Sequence, residues 1–211
     1  SLSAEEAARL KPYIKLVEQL GSFAGQLTDA GLKSIVIEYE GHAADLNVKP
    51  LTAIALAALL APQLDSINMV NVPVVCKERG IAIAETRSTE PSDFQTLIRI
   101  TVQGANGARS IAGTLFGGDR PRIVDVEGIS LEAELGPHML FVRNHDKPGF
   151  IGNLGRTLGE GAINIATFHL GRSAPGQDAI CLIQVDQPLG DSLLAKVRAI
   201  ANVVQAKELH F

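Results

Sequence analysis

Between positions 144 and 151 the chain reads Asn144-His145-Asp146-Lys147-Pro148-Gly149-Phe150-Ile151, a polar turn between an apolar run and a helical pattern. Pro148 fixes φ at a helix entry, and Gly149 lets a backbone approach closely. The amides of the first helical turn, near Gly149, Phe150 and Ile151, then offer donors to a carboxylate, aided by the helix dipole. Asp146 beside them can hold an ammonium. A zwitterion needs opposite partial charges a few ångströms apart, and this turn supplies both. An isolated Asp-x-Pro-Gly more often merely caps its helix. Asn164, inside the apolar Ile163-Asn164-Ile165, shifts the balance by bringing a bifunctional amide to the start of the next strand. A buried Asn also serves as a purely structural hydrogen-bonder, so both readings of Asn164 stay open.

Other chemistries leave little trace. A dinucleotide fingerprint requires G-x-G-x-x-G between a strand and a helix. The nearest approach, Gly159-Glu160-Gly161-Ala162-Ile163-Asn164, lacks the third Gly and runs from a helix into a strand. No phosphate-binding G-x-x-x-x-G-K-[ST] loop, H-E-x-x-H helix or G-x-S-x-G elbow occurs. His42, His138, His145, His169 and His210 are isolated, and such histidines are more often structural or solvated than catalytic. Cys76 and Cys181 lie far apart without C-x-x-C spacing, which suggests neither a disulfide framework nor a zinc site and makes a reducing cytoplasm the simplest compartment. We therefore expect no catalytic residue, no metal and no cofactor in this chain.

The elements that must position the polar turn are legible from periodicity. Ser3-Ala4-Glu5-Glu6 has the form of a capping box before Leu10, Ile14, Val17 and Leu20, which recur at helical spacing. A break at Asp29-Ala30-Gly31 leads into a strand over 32–39, ended by Gly41. Lys49-Pro50 opens an Ala/Leu-rich helix whose apolar run, Leu51 to Ala61, is too short to span a bilayer. Pro73 suits the first turn of a short helix ending at Gly80. Strands are expected over 81–87, 94–103, 108–116, 121–126 and 129–135, with tight turns at Asn106-Gly107 and Glu127-Gly128. Gly136-Pro137 makes the best domain boundary, dividing 1–136 from 137–211.

Beyond that boundary the order becomes strand, helix, strand, strand, helix, strand: 138–144, 149–160, 163–170, 178–186, 192–201 and 203–209. Asp191 is placed to cap the second helix. The fold class is therefore α+β, an α+β first domain followed by a ferredoxin-like βαββαβ domain. Gly152, Gly155 and Gly159 form a stripe on the first helix of the second domain, each costing roughly 1 kcal/mol against Ala. Either a neighbouring subunit's backbone approaches there, or the helix packs closely on its own sheet. Ile151, Leu154 and Leu158 are expected to face the sheet. A net charge of −4 and a sequence pI near 5.7 argue against nucleic acid and anionic membranes as partners. The opening Ser1-Leu2 carries neither an initiating Met nor a secretory pattern, which suggests a trimmed start.

A resemblance adds to this reading. Asp146-Lys147-Pro148-Gly149-Phe150-Ile151-Gly152, Leu158-Gly159, Ile163-Asn164-Ile165-Ala166 and Gly171-Arg172 closely resemble the ACT domain that ends D-3-phosphoglycerate dehydrogenases. Upstream, Val70-Asn71-Val72-Pro73, Glu78-Arg79-Gly80-Ile81, Gly113-Thr114-Leu115-Phe116-Gly117 and Pro121-Arg122-Ile123-Val124 resemble the intervening, allosteric substrate-binding domain of the long form of that enzyme. The resemblance implies a C-terminal regulatory half, separated from a catalytic half that uses NAD to oxidise 3-phosphoglycerate for L-serine biosynthesis. It implies an L-serine site where two ACT domains meet, falling here on Asn144, Asp146, Asn164 and the amides near Gly149, Phe150 and Ile151, and hence a homo-oligomer. Asn144 departs from the His or Tyr of other members. The resemblance also implies an anion site for a phosphorylated substrate, with Arg122 at one expected basic position and Glu134 replacing another. Two other classes fit the residues: a stand-alone ACT-type amino-acid-binding module, and the regulatory part of an iron–sulfur L-serine dehydratase.

Overall fold

The computed structural model describes residues 3–29, 31–90 and 92–211. Ala30, at the centre of the expected break after the first helix, and the Ser1-Leu2 opening lie outside the described residues. The chain divides into two compact units, 1–127 and 128–211. Residues 128–136 make close contacts within the second unit. A Cβ on Gly171 would lie 2.3 Å from Ser130 O, and one on Gly136 would lie 2.2 Å from the Gln184 side chain.

In the first unit, helix α1 (Ala4–Leu27) starts with the capping box, in which Glu6 N–H donates to Ser3 Oγ at 3.1 Å and Ser3 N–H to Glu6 Oε2 at 2.8 Å. Its Leu10, Leu16, Val17, Leu20, Phe23 and Leu27 are buried against the sheet and against α2 (Lys49–Leu60). Strand β1 (Ser34–Gly41) alternates, burying Ile35, Ile37 and Tyr39. A 3₁₀ turn (His42–Asp45), α2, α3 (Val72–Glu78) and β2 (Ala82–Ser88) follow, then β3 (Thr96–Gly104), β4 (Gly107–Phe116) and β5 (Arg120–Val126). Lateral order in this unit is β2-β1-β3-β4-β5. All these pairs are antiparallel except β1 with β2, which run parallel through the α2–α3 crossover. Thr96 ties the layers together, since its Oγ1 accepts from Ala43 N–H at 3.0 Å and lies 3.0 Å from Tyr13 Oη.

The close approach of α1 to α2 is made by two glycines one turn apart. A Cβ on Gly21 would lie 2.3 Å from Ala55 O, and one on Gly25 would lie 2.1 Å from Leu59 O. Small residues admit this contact, and the leucines around it fill the remaining space.

The second unit opens with β6 (Ile129–Ala133), then runs β7 (His138–His145), α4 (Phe150–Glu160), β8 (Ile165–Arg172), β9 (Asp178–Val185), α5 (Asp191–Arg198) and β10 (Val203–His210). From β7 onward this is the expected strand–helix–strand–strand–helix–strand order, and its sheet runs β10-β7-β9-β8, a ferredoxin-like arrangement. One face of the sheet (Leu140, Val142, Cys181, Ile183, Val185) packs against Leu154 and Leu158 of α4 and Leu193, Leu194 and Val197 of α5. Two local expectations need correction. Asp191 is the first residue of α5 rather than its cap; Gly190 holds the cap position and its N–H donates to Glu208 Oε1 at 3.1 Å. Ile151 does not face the sheet but is 52% exposed, because Phe150, Leu154 and Leu158, four residues apart, form the buried stripe. Among the described residues no helix is long and apolar enough to cross a membrane.

Candidate functional site

The polar turn joins β7 to α4, and the sheet register decides what faces it. Ala179 of β9 pairs with Asn144 on one side and Arg172 of β8 on the other. One row across the sheet therefore places Asn144 and Arg172 below the turn. Around them opens a cavity of about 520 Å³, lined among others by Asn144, Asp146, Gly149, Phe150, Ile151 and Arg172. Of the residues singled out from sequence for an amino acid, all but Asn164 line this cavity.

Asp146 is held from the β8–β9 side. Its Oδ2 accepts from Arg172 Nη1 at 2.8 Å and from Gly176 N–H at 3.3 Å. Its own N–H donates to Gln177 O at 2.8 Å. The Arg172 hydrogen bond foremost, then the Gly176 amide, holds the Asp146 carboxyl below the usual carboxylate range. Oδ1 keeps no hydrogen-bond partner among the described residues, so an ionised oxygen stands ready for a donor. Asp146 therefore does not cap α4: Gly149 occupies the cap position with φ +85°, a left-handed value that suits glycine.

Behind Gly149 the first turn of α4 carries the donors. Phe150 N–H reaches Lys147 O at 3.3 Å, and Asn153 N–H makes the first bond back to Gly149 O at 3.0 Å. The N–H groups of Ile151 and Gly152 have no acceptor among the described residues. An anion beside Asp146 would find these two amides and the positive end of the helix dipole.

Asn144 forms the floor rather than a projecting ligand. It is 1% exposed; Cys181 Sγ–H donates to its Oδ1 at 3.7 Å and its Nδ2 donates to His145 O at 3.1 Å. Burial pushes the Cys181 thiol up to about 12, which keeps it a protonated donor. Asn164 lies beyond the other end of α4, exposed, with Nδ2 donating to Asp186 Oδ2 at 2.7 Å. An eleven-residue helix is about 16 Å long, so one chain does not bring Asp146 and Asn164 into one cavity.

The glycine stripe is resolved by geometry. A Cβ on Gly152, Gly155 or Gly159 would meet nothing within 4 Å, so these glycines do not serve packing on the chain's own sheet. Together with the exposed Ile151 they give α4 a flat, sparsely covered outer face.

Arg172 and the Gly176 amide were not among the site residues expected from sequence. Arg172 stands 26 positions after Asp146, and only the β7–β9–β8 register brings the two together. In the first unit, Arg122 Nη1 donates to Pro121 O at 2.9 Å and its guanidinium lies 5.3 Å from the Phe116 ring centroid. Glu134, in the second unit, is exposed. Among the described residues no group of three or more His, Cys, Asp or Glu is placed to hold a metal ion.

Residues 9–127 match the family described as the D-3-phosphoglycerate dehydrogenase intervening domain. The chain is 33% identical to a D-3-phosphoglycerate dehydrogenase of Synechocystis sp. over 97% of this chain and 37% of that protein. It is 31% identical to a D-3-phosphoglycerate dehydrogenase of Bacillus subtilis over 98% of this chain and 40% of that protein. It thus spans well under half the length of these relatives. A solved homoserine dehydrogenase from Thiobacillus denitrificans overlaps 54% of the chain at 14% identity and a TM-score of 0.28, too low to carry an argument.

Proposed function

We infer that this chain, which belongs to the family of D-3-phosphoglycerate dehydrogenase intervening domains, is the C-terminal regulatory segment of such an enzyme. In this reading residues 1–136 are the intervening, allosteric substrate-binding domain and residues 137–211 an ACT domain that binds L-serine as feedback effector. NAD and the oxidation of 3-phosphoglycerate belong to the catalytic half of a cytoplasmic parent enzyme, and Arg122 contributes to an anion site in the intervening domain.

The observation that carries the reading is the juxtaposition, in one cavity, of the ionised Asp146 carboxylate and the acceptorless amides of Ile151 and Gly152. Serine presents an ammonium, a carboxylate and a hydroxyl. Asp146 Oδ1 takes the ammonium, the first-turn amides take the carboxylate, and Asn144 and Cys181 shape the floor beneath. Because Asn164 sits at the far end of α4, it joins the site only from a second chain whose α4 runs antiparallel, glycine face to glycine face. Two such sites then lie at the two ends of the helix pair. Serine acts by differential affinity: it stabilises this paired arrangement, and the paired arrangement favours a less active catalytic half.

Titration calorimetry with L-serine, glycine and L-alanine tests the reading, at fixed protein concentration because the site spans two chains. Wild type should bind serine best, having a partner for the hydroxyl. Asp146→Ala should lose roughly tenfold or more in affinity, because it leaves an ammonium unpaired, and Asn164→Ala should lose less. Equal serine binding by wild type and Asp146→Ala would refute the role of Asp146. No binding of any of the three amino acids would refute the effector reading altogether.

A further inference from the structure

Strand β2 closes the first unit's sheet with β1 on one side only, and each of its residues from Ala82 to Ser88 is exposed. Edge strands are usually blunted by charged side chains, and beyond these by shortness, a bulge or a proline; β2 carries Glu85 and Arg87 but none of the other three. Its register with β1 runs unbroken from Ser34–Ala82 to Glu40–Ser88.

One hydrogen bond fixes the phase of its backbone. Ala82 N–H donates to Lys33 O at 3.0 Å. In a parallel ladder, Ala82, Ala84, Thr86 and Ser88 therefore turn their N–H and C=O groups toward β1, while Ile83, Glu85 and Arg87 turn theirs outward. Among the described residues the outer edge is a row of unpaired donors and acceptors, with opposite charges on two successive outward positions.

We propose that β2 pairs antiparallel with β2 of a second copy of this chain, about a two-fold axis at Thr86, joining two sheets into one. A two-fold contact must be self-complementary. Since only odd-numbered residues present outward groups, the axis must pass through a residue, which leaves few registers. Centred on Glu85, the pairing opposes two carboxylates; centred on Arg87, it opposes two guanidiniums. Centred on Ala84, it sets Glu85 against Ile83 and pairs no charges. Only the Thr86 axis sets Glu85 of each copy opposite Arg87 of the other, twice, with Thr86 against Thr86. Opposite charges directly across an antiparallel pair attract and like charges repel, so the same two side chains select this register and reject its neighbours.

Both are already held on one face of the strand. Glu85 Oε2 accepts from Thr52 Oγ1, Glu85 and Arg87 approach at 3.8 Å, and Arg87 Nη1 reaches Leu46 O at 3.3 Å. An axis perpendicular to the sheet keeps each Glu85–Arg87 cross-pair on that common face. Ile83, Glu85 and Arg87 share that face, and each is exposed.

The test is light scattering on the whole chain carrying Gly155→Leu, which blocks the α4 face of the second unit and so separates this contact from the serine-site reading. A dimer is expected. Glu85→Arg or Arg87→Glu alone should dissociate it, raising the dissociation constant roughly tenfold or more. The double reversal Glu85→Arg/Arg87→Glu should restore it, which no general loss of folding would mimic. Amide exchange on the Gly155→Leu chain gives a second measurement: Ile83, Glu85 and Arg87 N–H should gain protection as the dimer forms. A monomer with freely exchanging edge amides, or a dimer indifferent to all three charge variants, would overturn the proposal.

Discussion

The same substitution, glycine to alanine within a helix, should change stability in opposite directions at Gly25 and Gly155. In an unobstructed helix interior, Ala is favoured over Gly by about 1 kcal/mol. Gly155 meets that condition, since its added Cβ finds nothing within 4 Å. Gly25 does not, because its Cβ would sit 2.1 Å from Leu59 O and 2.8 Å from Leu59 C. Backbone cannot rotate aside as a side chain can, so α1 and α2 must part by about an ångström, loosening the packing between the two helices. Overpacking of this kind costs about 1–3 kcal/mol, and the lost contacts add to it. Set against the propensity gain, Gly25→Ala should destabilise the first unit by about 1–2 kcal/mol, lowering its melting temperature by several degrees. Gly155→Ala should raise that of the second unit, measured at a dilution where the chain is monomeric. Urea unfolding followed by circular dichroism measures both, and amide exchange assigns each transition to its unit. If Gly25→Ala stabilises as much as Gly155→Ala, the close helix contact is wrong.

Three further outcomes are expected. Arg172→Met should release Asp146 from the hydrogen bond that depresses its pKa. Serine binding is present above that pKa and lost as pH falls through it, so its loss should begin at a higher pH in the variant, toward the ordinary value of about 3.9; unchanged acid limbs by calorimetry would refute the coupling. Gly155→Leu should weaken association through α4, read as a lower weight-average mass by light scattering with and without serine. The isolated chain should show neither saturable NAD binding nor NAD reduction with 3-phosphoglycerate, because its one G-x-G stretch leaves the C-terminal end of α4 instead of entering a helix; micromolar NAD binding would contradict this.

What was legible in the sequence was local. The Ser3–Glu6 capping box, Pro73 in the first turn of α3 and the element order after position 138 depend on residues a few places apart, and they appear in the structure close to where they were expected. What depends on pairing between distant segments was not legible. Nothing near Asp146 announces Arg172, since their contact needs β9 between two partners in one register. The parallel sense of β2 was equally hidden, because alternation identifies a strand without giving its direction. The stripe on α4 shows an intermediate case: the spacing of Gly152, Gly155 and Gly159 is visible, but which way they face depends on whether Phe150 or Ile151 begins the buried row. Gly21 and Gly25 carry no signal of their own, because a glycine inside an otherwise ordinary helix looks like a weakness until the second helix is in place.

Each compact unit encloses a single thiol, Cys76 in the first and Cys181 in the second, both at most 1% exposed and both made less acidic by burial. A sulfur that is hidden and protonated does not react with an alkylating reagent until its surroundings open. The protein thus carries two built-in clocks, one per unit, whose alkylation rates report each unit's opening separately without any added label. Cys181 rests directly against Asn144 beneath the cavity, so a ligand that tightens the second unit would slow that clock alone, and the Cys76 rate in the same sample would be its internal standard.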